Sequence, residues 1–179
     1  MAYLFILSGV ILRIIPHPAN FAPIAAIALF GGAKLNKKYA LLVPIIAMLI
    51  GDIFIGFYNI WIMLSVYGSF LLIGLIGVWL KKHYSWKMTI GGALVSSIIF
   101  FLITNFAVWA IPSSFYPHTF QGLINCYIMA IPFFRNTVLG DLFYVGVMFG
   151  LYELVINYFS KRGYQSVKPW TKALKNIIR

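Results

Sequence analysis

The chain has 179 residues, of which 62% are hydrophobic and 9% are charged. Soluble domains carry about 25% charged residues, so this composition excludes an ordinary soluble domain and indicates one integral membrane domain. The net charge of +11 comes from basic residues beside apolar runs and forms no stripe with base-stacking aromatics, which argues against a nucleic-acid partner.

Continuous apolar runs identify the class of membrane protein. Only helical bundles and closed barrels satisfy their backbone hydrogen bonds in lipid, and barrel strands alternate polar and apolar residues in segments of about ten. The run LLVPIIAMLIGDIFIGF at 41–57 shows no such alternation. We therefore expect an all-α integral membrane protein. Residues 1–160 are expected to form a single transmembrane domain, followed by a basic cytoplasmic tail at 161–179.

Six apolar runs, taken in chain order, predict a six-helix transmembrane bundle. A span normally needs ~17–25 residues, and the first two runs are short. Three prolines, Pro16, Pro18 and Pro23, interrupt the join between them, and proline removes a helical hydrogen bond. The first two runs therefore form either a hairpin of two short helices or one broken helix. The runs are 2–15, 20–33, 40–57, 60–80, 88–111 and 134–158.

Basic residues determine the expected orientation. They cluster at 34–38, 81–87 and 161–179, and the positive-inside rule places such clusters in the cytoplasm. Two runs separate each successive pair of clusters, so we expect both termini in the cytoplasm, and this parity favours the hairpin. Counting 112–133 as a further span would move the C-terminal lysines outside. We interpret it as a partly helical external loop, with a short re-entrant helix at 119–133.

Few charged side chains lie inside the apolar runs. The three acidic residues of the chain, Asp52, Asp141 and Glu153, all do, and so do Arg13 and Arg135. A charge in lipid costs at least ~2.5–3.5 kcal/mol at a helix centre, so such residues usually face a protein interior and mark a site or pathway. Glu153 lies near the cytoplasmic end of the last run, where we interpret it either as a partner contact or as an interfacial acid.

The predicted topology brings most of the strongly polar residues of the runs to one depth, near the outer surface. This agreement predicts a pocket that is open to the outside and holds a small solute. A second interpretation remains open, in which two acids and two arginines form structural ion pairs between helices. The candidate solute-binding residues are Arg13, His17, Asn20, Asp52, Tyr67, Asn105, Trp109, Arg135, Asn136 and Asp141.

Motifs for catalysis and for nucleotide binding are missing from the sequence. It contains no H-E-x-x-H, no G-x-S-x-G and no GxxxxGK[ST]. We therefore expect no catalytic residues, no metal site, no cofactor and no enzymatic activity, and we expect energy for transport to come from a partner or an ion gradient. Two alternatives stay open: a structural subunit without a ligand, and an intramembrane enzyme that uses Asp52 and His17 as an acid–base pair.

Two stretches carry a resemblance to known proteins. They are PHPANFAPIAAIALFGGAKLNKKYALLVPIIAMLIGDIFIGFY at 16–58 and FFRNTVLGDLFYVGVMFG at 133–150. They resemble an uncharacterised bacterial membrane family usually labelled as transport proteins, and the resemblance covers about 13–153. The hydropathy plan also resembles the substrate-binding S components of energy-coupling-factor vitamin transporters.

The resemblance to S components implies a function and partners. It implies a six-helix protein that captures a vitamin-like solute near the outer face. It also implies association with a transmembrane coupling subunit and two ATPases, docked through an Ala-x-x-x-Ala face that Ala22 and Ala26 would supply here. S components carry this face on the first helix, whereas here it falls on the second run. We therefore expect a membrane transport protein or a substrate-binding subunit in a lipid bilayer, which the resemblance implies is the bacterial plasma (inner) membrane.

Overall fold

The structure, a computed structural model, describes residues 2–16, 18–36 and 39–161. Within these ranges the chain is entirely helical, with no strand, as the sequence predicts. Three of the helices, α4, α5 and α6, are long and apolar enough to cross a membrane. The predicted basic tail after residue 161 lies outside the described residues. The helices are α1 (Ala2–Ile14), α2 (Ile24–Lys34), α3 (Leu42–Ile55), α4 (Ile60–Leu80), α5 (Trp86–Ala110) and α6 (Phe120–Lys161).

The first two helices are short, as predicted, with 13 residues in α1 and 11 in α2. They are separate helices that pack against each other, which favours the hairpin over one broken helix. A turn precedes α2: the backbone N–H of Phe21 donates to the carbonyl of Pro18 at 2.9 Å. Asn20 occupies the third position of this turn with φ of 62°, a conformation that asparagine tolerates better than most residues.

Helix α2 is the centre of the bundle and contacts each of the other five helices. Its small residues permit a close approach to α4, because a Cβ added at Gly32 would overlap the carbonyl oxygen of Gly74 and lie 2.8 Å from the Cα of Gly77. Such small-residue contacts let the backbones of membrane helices meet. The C-terminal ends of α2 and α4 therefore lie together, and the two helices run in the same direction.

The last helix differs from the prediction. The sequence predicts a short re-entrant helix at 119–133 and a separate helix at 134–158, whereas α6 is one helix of 42 residues with Pro132 inside it. Proline removes one hydrogen bond, which membrane helices tolerate when neighbours satisfy the freed groups. Contacts with α5 hold the first part of α6: the Tyr127 hydroxyl donates to the Leu102 carbonyl at 2.7 Å. The connection between α5 and α6 is therefore limited to residues 111–119.

Candidate functional site

A cavity of about 260 Å³ lies between α2, α3, α4, α5 and α6 at the end of the bundle where α2 begins. We call it the Asp141 cavity. Its volume is close to the lower limit of ~300 Å³ for small-molecule sites, and its lining has the usual composition of mostly apolar side chains with a few polar groups. It is lined by Asn20, Ala22, Ile24, Ala25, Met48, Ile55, Tyr58, Val66, Phe70, Phe100, Thr137 and Asp141.

Asp141 is the acidic side chain of this cavity and is only 2% exposed. The Ser97 hydroxyl lies 2.6 Å from its Oδ2 and 3.1 Å from the carbonyl oxygen of Ala93. A hydroxyl carries a single hydrogen, so Ser97 shares it between two acceptors. Within the described part of the chain, Asp141 has no basic residue within salt-bridge distance. Its carboxyl therefore has acceptor sites beyond the one that Ser97 occupies.

Two further polar side chains face the Asp141 cavity. The Thr137 hydroxyl donates to the carbonyl of Phe133 at 3.0 Å, which leaves its oxygen lone pairs for another donor. Thr137 and Asp141 are one helical turn apart and share a face of α6. Asn20 reaches the cavity from the turn before α2. That turn is held on α6, because the Asn136 amide donates to the Ala19 carbonyl at 3.0 Å.

Aromatic side chains form part of the apolar wall. Phe70 of α4 and Phe100 of α5 pack with their ring centroids 5.3 Å apart. Tyr58, from the connection between α3 and α4, lines the same cavity. The Asp141 cavity therefore combines one carboxyl, two neutral polar groups and three aromatic rings.

Asp52 lies beside the Asp141 cavity without lining it. It is 1% exposed, and the Tyr67 hydroxyl donates to its Oδ2 at 2.7 Å, which joins α3 to α4. Met48 and Ile55, one helical turn from Asp52 on either side, do line the cavity. Asp52 and Tyr67 therefore hold the wall in place.

A second cavity, of about 270 Å³, adjoins the first on the side of α5 and α6. Asn105 lines it, with its amide donating to the Phe101 carbonyl at 2.8 Å. The two cavities share Asn20, Phe100 and Thr137. These three side chains therefore form a wall common to both cavities.

Other predicted site residues lie elsewhere. Trp109, near the end of α5, donates through Nε1 to the carbonyl of Pro117 at 3.0 Å, and Pro117 belongs to the connection between α5 and α6. Arg135 is exposed, and no carboxylate of the described residues lies within 4 Å of it. Neither residue lines either cavity, and the predicted ion pair between Arg135 and an acid does not form. The side chain of Arg13 and the whole of His17 lie outside the described part of the chain.

The comparisons with known proteins identify the family. A family model described as a family of unknown function, DUF6580, matches residues 1–166. The chain belongs to the DUF6580 family. This confirms the prediction of an uncharacterised family, and the match carries no information about transport or about S components. No curated protein and no solved structure matches the chain.

Three residues that contribute to the site in this DUF6580 member are absent from the predicted set: Ser97, Thr137 and Tyr58. The sequence does contain a signal for Ser97, because Ser96 and Ser97 are adjacent polar residues in the middle of an apolar run. The spacing of four residues between Thr137 and Asp141 is a similar signal. The sequence contains no such signal for Tyr58, because this residue lies in a loop whose neighbours depend on the packing of α3 against α4.

The alanines expected to dock a partner face the interior of the bundle. Ala22 is half-buried and lines the Asp141 cavity, and Ala26 is fully buried, with 0% exposure. Ala26 lies in the core of the chain's own helices. The geometry therefore offers no support for docking through this pair.

A second polar group lies at the opposite end of the bundle, and we call it the Lys34 cluster: Lys34, Tyr84, Trp86 and Glu153. Lys34 Nζ lies 3.8 Å from the centroid of the Tyr84 ring. The Tyr84 hydroxyl donates to Glu153, and Trp86 Nε1 donates to its other oxygen at 3.2 Å. Burial, together with the hydrogen bond to Glu153, raises the pKa of Tyr84 above its ordinary value, so the hydroxyl remains a donor. Glu153 is thus bound within the chain.

Proposed function

We propose that this protein is a membrane transport protein, or the substrate-binding subunit of a transporter, that captures a small solute in the Asp141 cavity. The observation that carries the proposal is Asp141 itself. It is a carboxyl that is 2% exposed in an apolar helical bundle, and it borders about 260 Å³ of empty space. Ionisable groups at such positions are costly, and they usually face a pathway or a site.

The proposed membrane arrangement places this cavity toward the outer surface. We propose that all six helices lie in the bacterial plasma membrane as a bundle with both termini in the cytoplasm. Asn20 and Tyr58, which line the cavity, belong to the connections that precede α2 and α4. Lys34 and Lys81 lie where these two helices end, and lysines favour the cytoplasmic side. Solute would therefore enter from outside.

Energy for transport comes from outside the chain in this proposal. The sequence has no phosphate-binding motif for ATP, so an ion gradient or an ATPase partner must drive the step. The resemblance to S components supports a transmembrane coupling subunit as this partner. Since Ala22 and Ala26 face the interior, such a subunit would dock on another surface.

The Asp141 cavity supports solute capture over a purely structural subunit. In a purely structural subunit, polar groups would join helices and would need no cavity beside them. Here the Asp141 carboxyl has Ser97 as its hydrogen-bonding partner among the described residues, and the space beside it is large enough for several waters or one small molecule.

Mass spectrometry of gently extracted protein tests the proposal. We expect a small molecule to co-purify with the wild-type protein, and we expect Ala25→Leu, which adds three carbons inside the Asp141 cavity, to lose it. The matched control is Ala130→Leu, which adds the same three carbons to the second cavity. Absence of any solute from the wild-type protein, or equal occupancy in wild type and Ala25→Leu, would contradict capture in this cavity.

A further inference from the structure

We infer that the solute of the Asp141 cavity is a small organic cation, with an ammonium-type group on an apolar body and its charge placed against Asp141. This inference rests on the proposed function, because it names the class of ligand for the same cavity. It follows from three features of the lining: its charge, its aromatic rings and its size.

The charge of the lining is one-sided. Asp141 is acidic, and none of the described residues that line the cavity is basic. Its one hydrogen-bond donor among the described residues, Ser97, is neutral. A buried charge is destabilising unless an opposite charge or enough hydrogen bonds compensate it. A cationic ligand would supply the charge that these side chains do not.

The aromatic side chains of the lining also favour a cationic ligand. Tyr58, Phe70 and Phe100 line the cavity that contains Asp141. The face of an aromatic ring attracts a cation, and the attraction strengthens when the cation is removed from water. The same rings accept the apolar body of an organic molecule. A hydrated metal ion would use neither property, so the lining favours an organic cation.

An anion would find no positive partner in the described lining. Arg135 is exposed and lies outside both cavities. Lys34, at the far end of α2, is directed over the ring of Tyr84. Among the described residues, an anionic solute would therefore face the Asp141 carboxylate without a compensating cation.

The size of the cavity limits the solute to one ring or a short chain. Its volume of about 260 Å³ corresponds to roughly eight or nine waters at ~30 Å³ each. Benzylammonium, benzyl alcohol and benzoate fit this limit. They share a ring and have nearly equal volumes, and at neutral pH they differ in charge. They are therefore matched probes of what the cavity selects.

The test is calorimetric titration of the detergent-purified full chain with each probe. We expect benzylammonium to bind at least about tenfold more tightly than benzyl alcohol, since a desolvated cation–π contact already contributes about this much. Benzoate is expected to bind most weakly. In Asp141→Asn, the advantage of benzylammonium over benzyl alcohol should fall, because only the aromatic rings then favour the cation. Glu153→Gln, the same change in the Lys34 cluster, should retain it.

The outcomes separate this inference from the proposed function. Equal or tighter binding of benzyl alcohol or benzoate to the wild-type protein would overturn the cationic class, yet it would leave solute capture standing. Binding of none of the probes would also overturn the inference, and the co-purification experiment would then decide whether the cavity holds a solute at all. A preference for benzylammonium that is undiminished in Asp141→Asn would remove Asp141 from the role. The wild-type comparison needs no variant, so it remains decisive if Asp141→Asn does not fold.

Discussion

The two ends of α2 meet opposite environments. At the C-terminal end, Gly32 lies against the backbone of α4, and Lys34 lies over the ring of Tyr84. At the N-terminal end, Ala25 borders the Asp141 cavity. The C-terminal end of α2, which we call the closed end, is therefore closely packed. The N-terminal end, which we call the open end, leaves room for a small molecule.

The acids at the two ends differ in the same way. Glu153, at the closed end, accepts hydrogen bonds from Tyr84 and Trp86. Asp141, at the open end, accepts from Ser97, whose hydrogen is shared with a backbone carbonyl. An acid in an apolar run is therefore not by itself a binding group. What distinguishes the two acids is how fully the chain satisfies each one and whether empty space adjoins it.

The largest expected effect is at the closed end. Gly32→Ala places a methyl group into the backbone of α4, where the nearest atoms belong to Gly74 and Gly77. Overpacking of this kind costs about 1–3 kcal/mol, and we expect the upper part of that range because backbone atoms cannot rotate away. Thermal unfolding can be followed through Cys126, which is the single cysteine of the chain and is buried, by its reaction with a thiol-specific dye.

Gly68→Ala is the matched control for this change. Gly68 lies in the same helix as Gly74, and a Cβ added there meets nothing within 4 Å. We expect the thermal unfolding midpoint of Gly68→Ala to equal or slightly exceed the wild-type value, since alanine favours helix over glycine by up to ~1 kcal/mol. If both variants unfold at the wild-type temperature, the closed end is not closely packed.

A smaller effect is expected from Tyr84→Phe. This change keeps the ring under Lys34 and removes the hydroxyl that donates to Glu153. Loss of a hydrogen bond to a charged group costs roughly 1–2 kcal/mol where water partly replaces it. The same dye-reactivity assay measures the loss. Tyr39→Phe removes an exposed tyrosine hydroxyl and should leave the midpoint unchanged, and equal losses in both variants would contradict a special role for Tyr84.

The smallest effect concerns the turn at the open end. Asn20 has a φ of 62°, a region that costs most L-residues ~1–2 kcal/mol and glycine almost nothing. Asn20→Ala should therefore destabilise the protein by about 1 kcal/mol, whereas Asn20→Gly should stay within ~0.5 kcal/mol of the wild type. Unfolding midpoints of the two variants measure the difference. Equal losses would mean that the amide side chain, and not the backbone conformation, stabilises the turn.

Run lengths and prolines in the sequence predict much of the fold. The six apolar runs correspond to helices α1 to α6, and the short first pair follows from the prolines at 16, 18 and 23. The error at 119–133 has a physical cause. The re-entrant interpretation comes from keeping the C-terminal lysines in the cytoplasm, whereas contacts such as Tyr127 with the Leu102 carbonyl hold one helix together across Pro132. Those contacts join residues far apart in the chain.

The candidate site was predicted only in part. Its members Asn20 and Asp141, and Asn105 in the adjoining cavity, follow from the positions of polar residues in the runs. The hydrogen-bonding partner of Asp141 does not follow from the sequence. The equal numbers of aspartates and arginines in the runs favour arginine, whereas the structure places Ser97 there. Depth along a helix is a property of the sequence, but the direction in which a side chain points around the helix depends on its neighbours.

The sequence by itself determined that this is a helical membrane protein with buried acids, because hydropathy and charge act through the solvent that surrounds each residue. Only the tertiary structure decided that Asp141 borders a cavity while Ala26 is enclosed. The rotation of each helix is set by close contacts between distant residues, such as Gly32 of α2 with Gly77 of α4. Such contacts depend on residues far apart in the chain, so the sequence of one helix does not determine which of its side chains face the cavity.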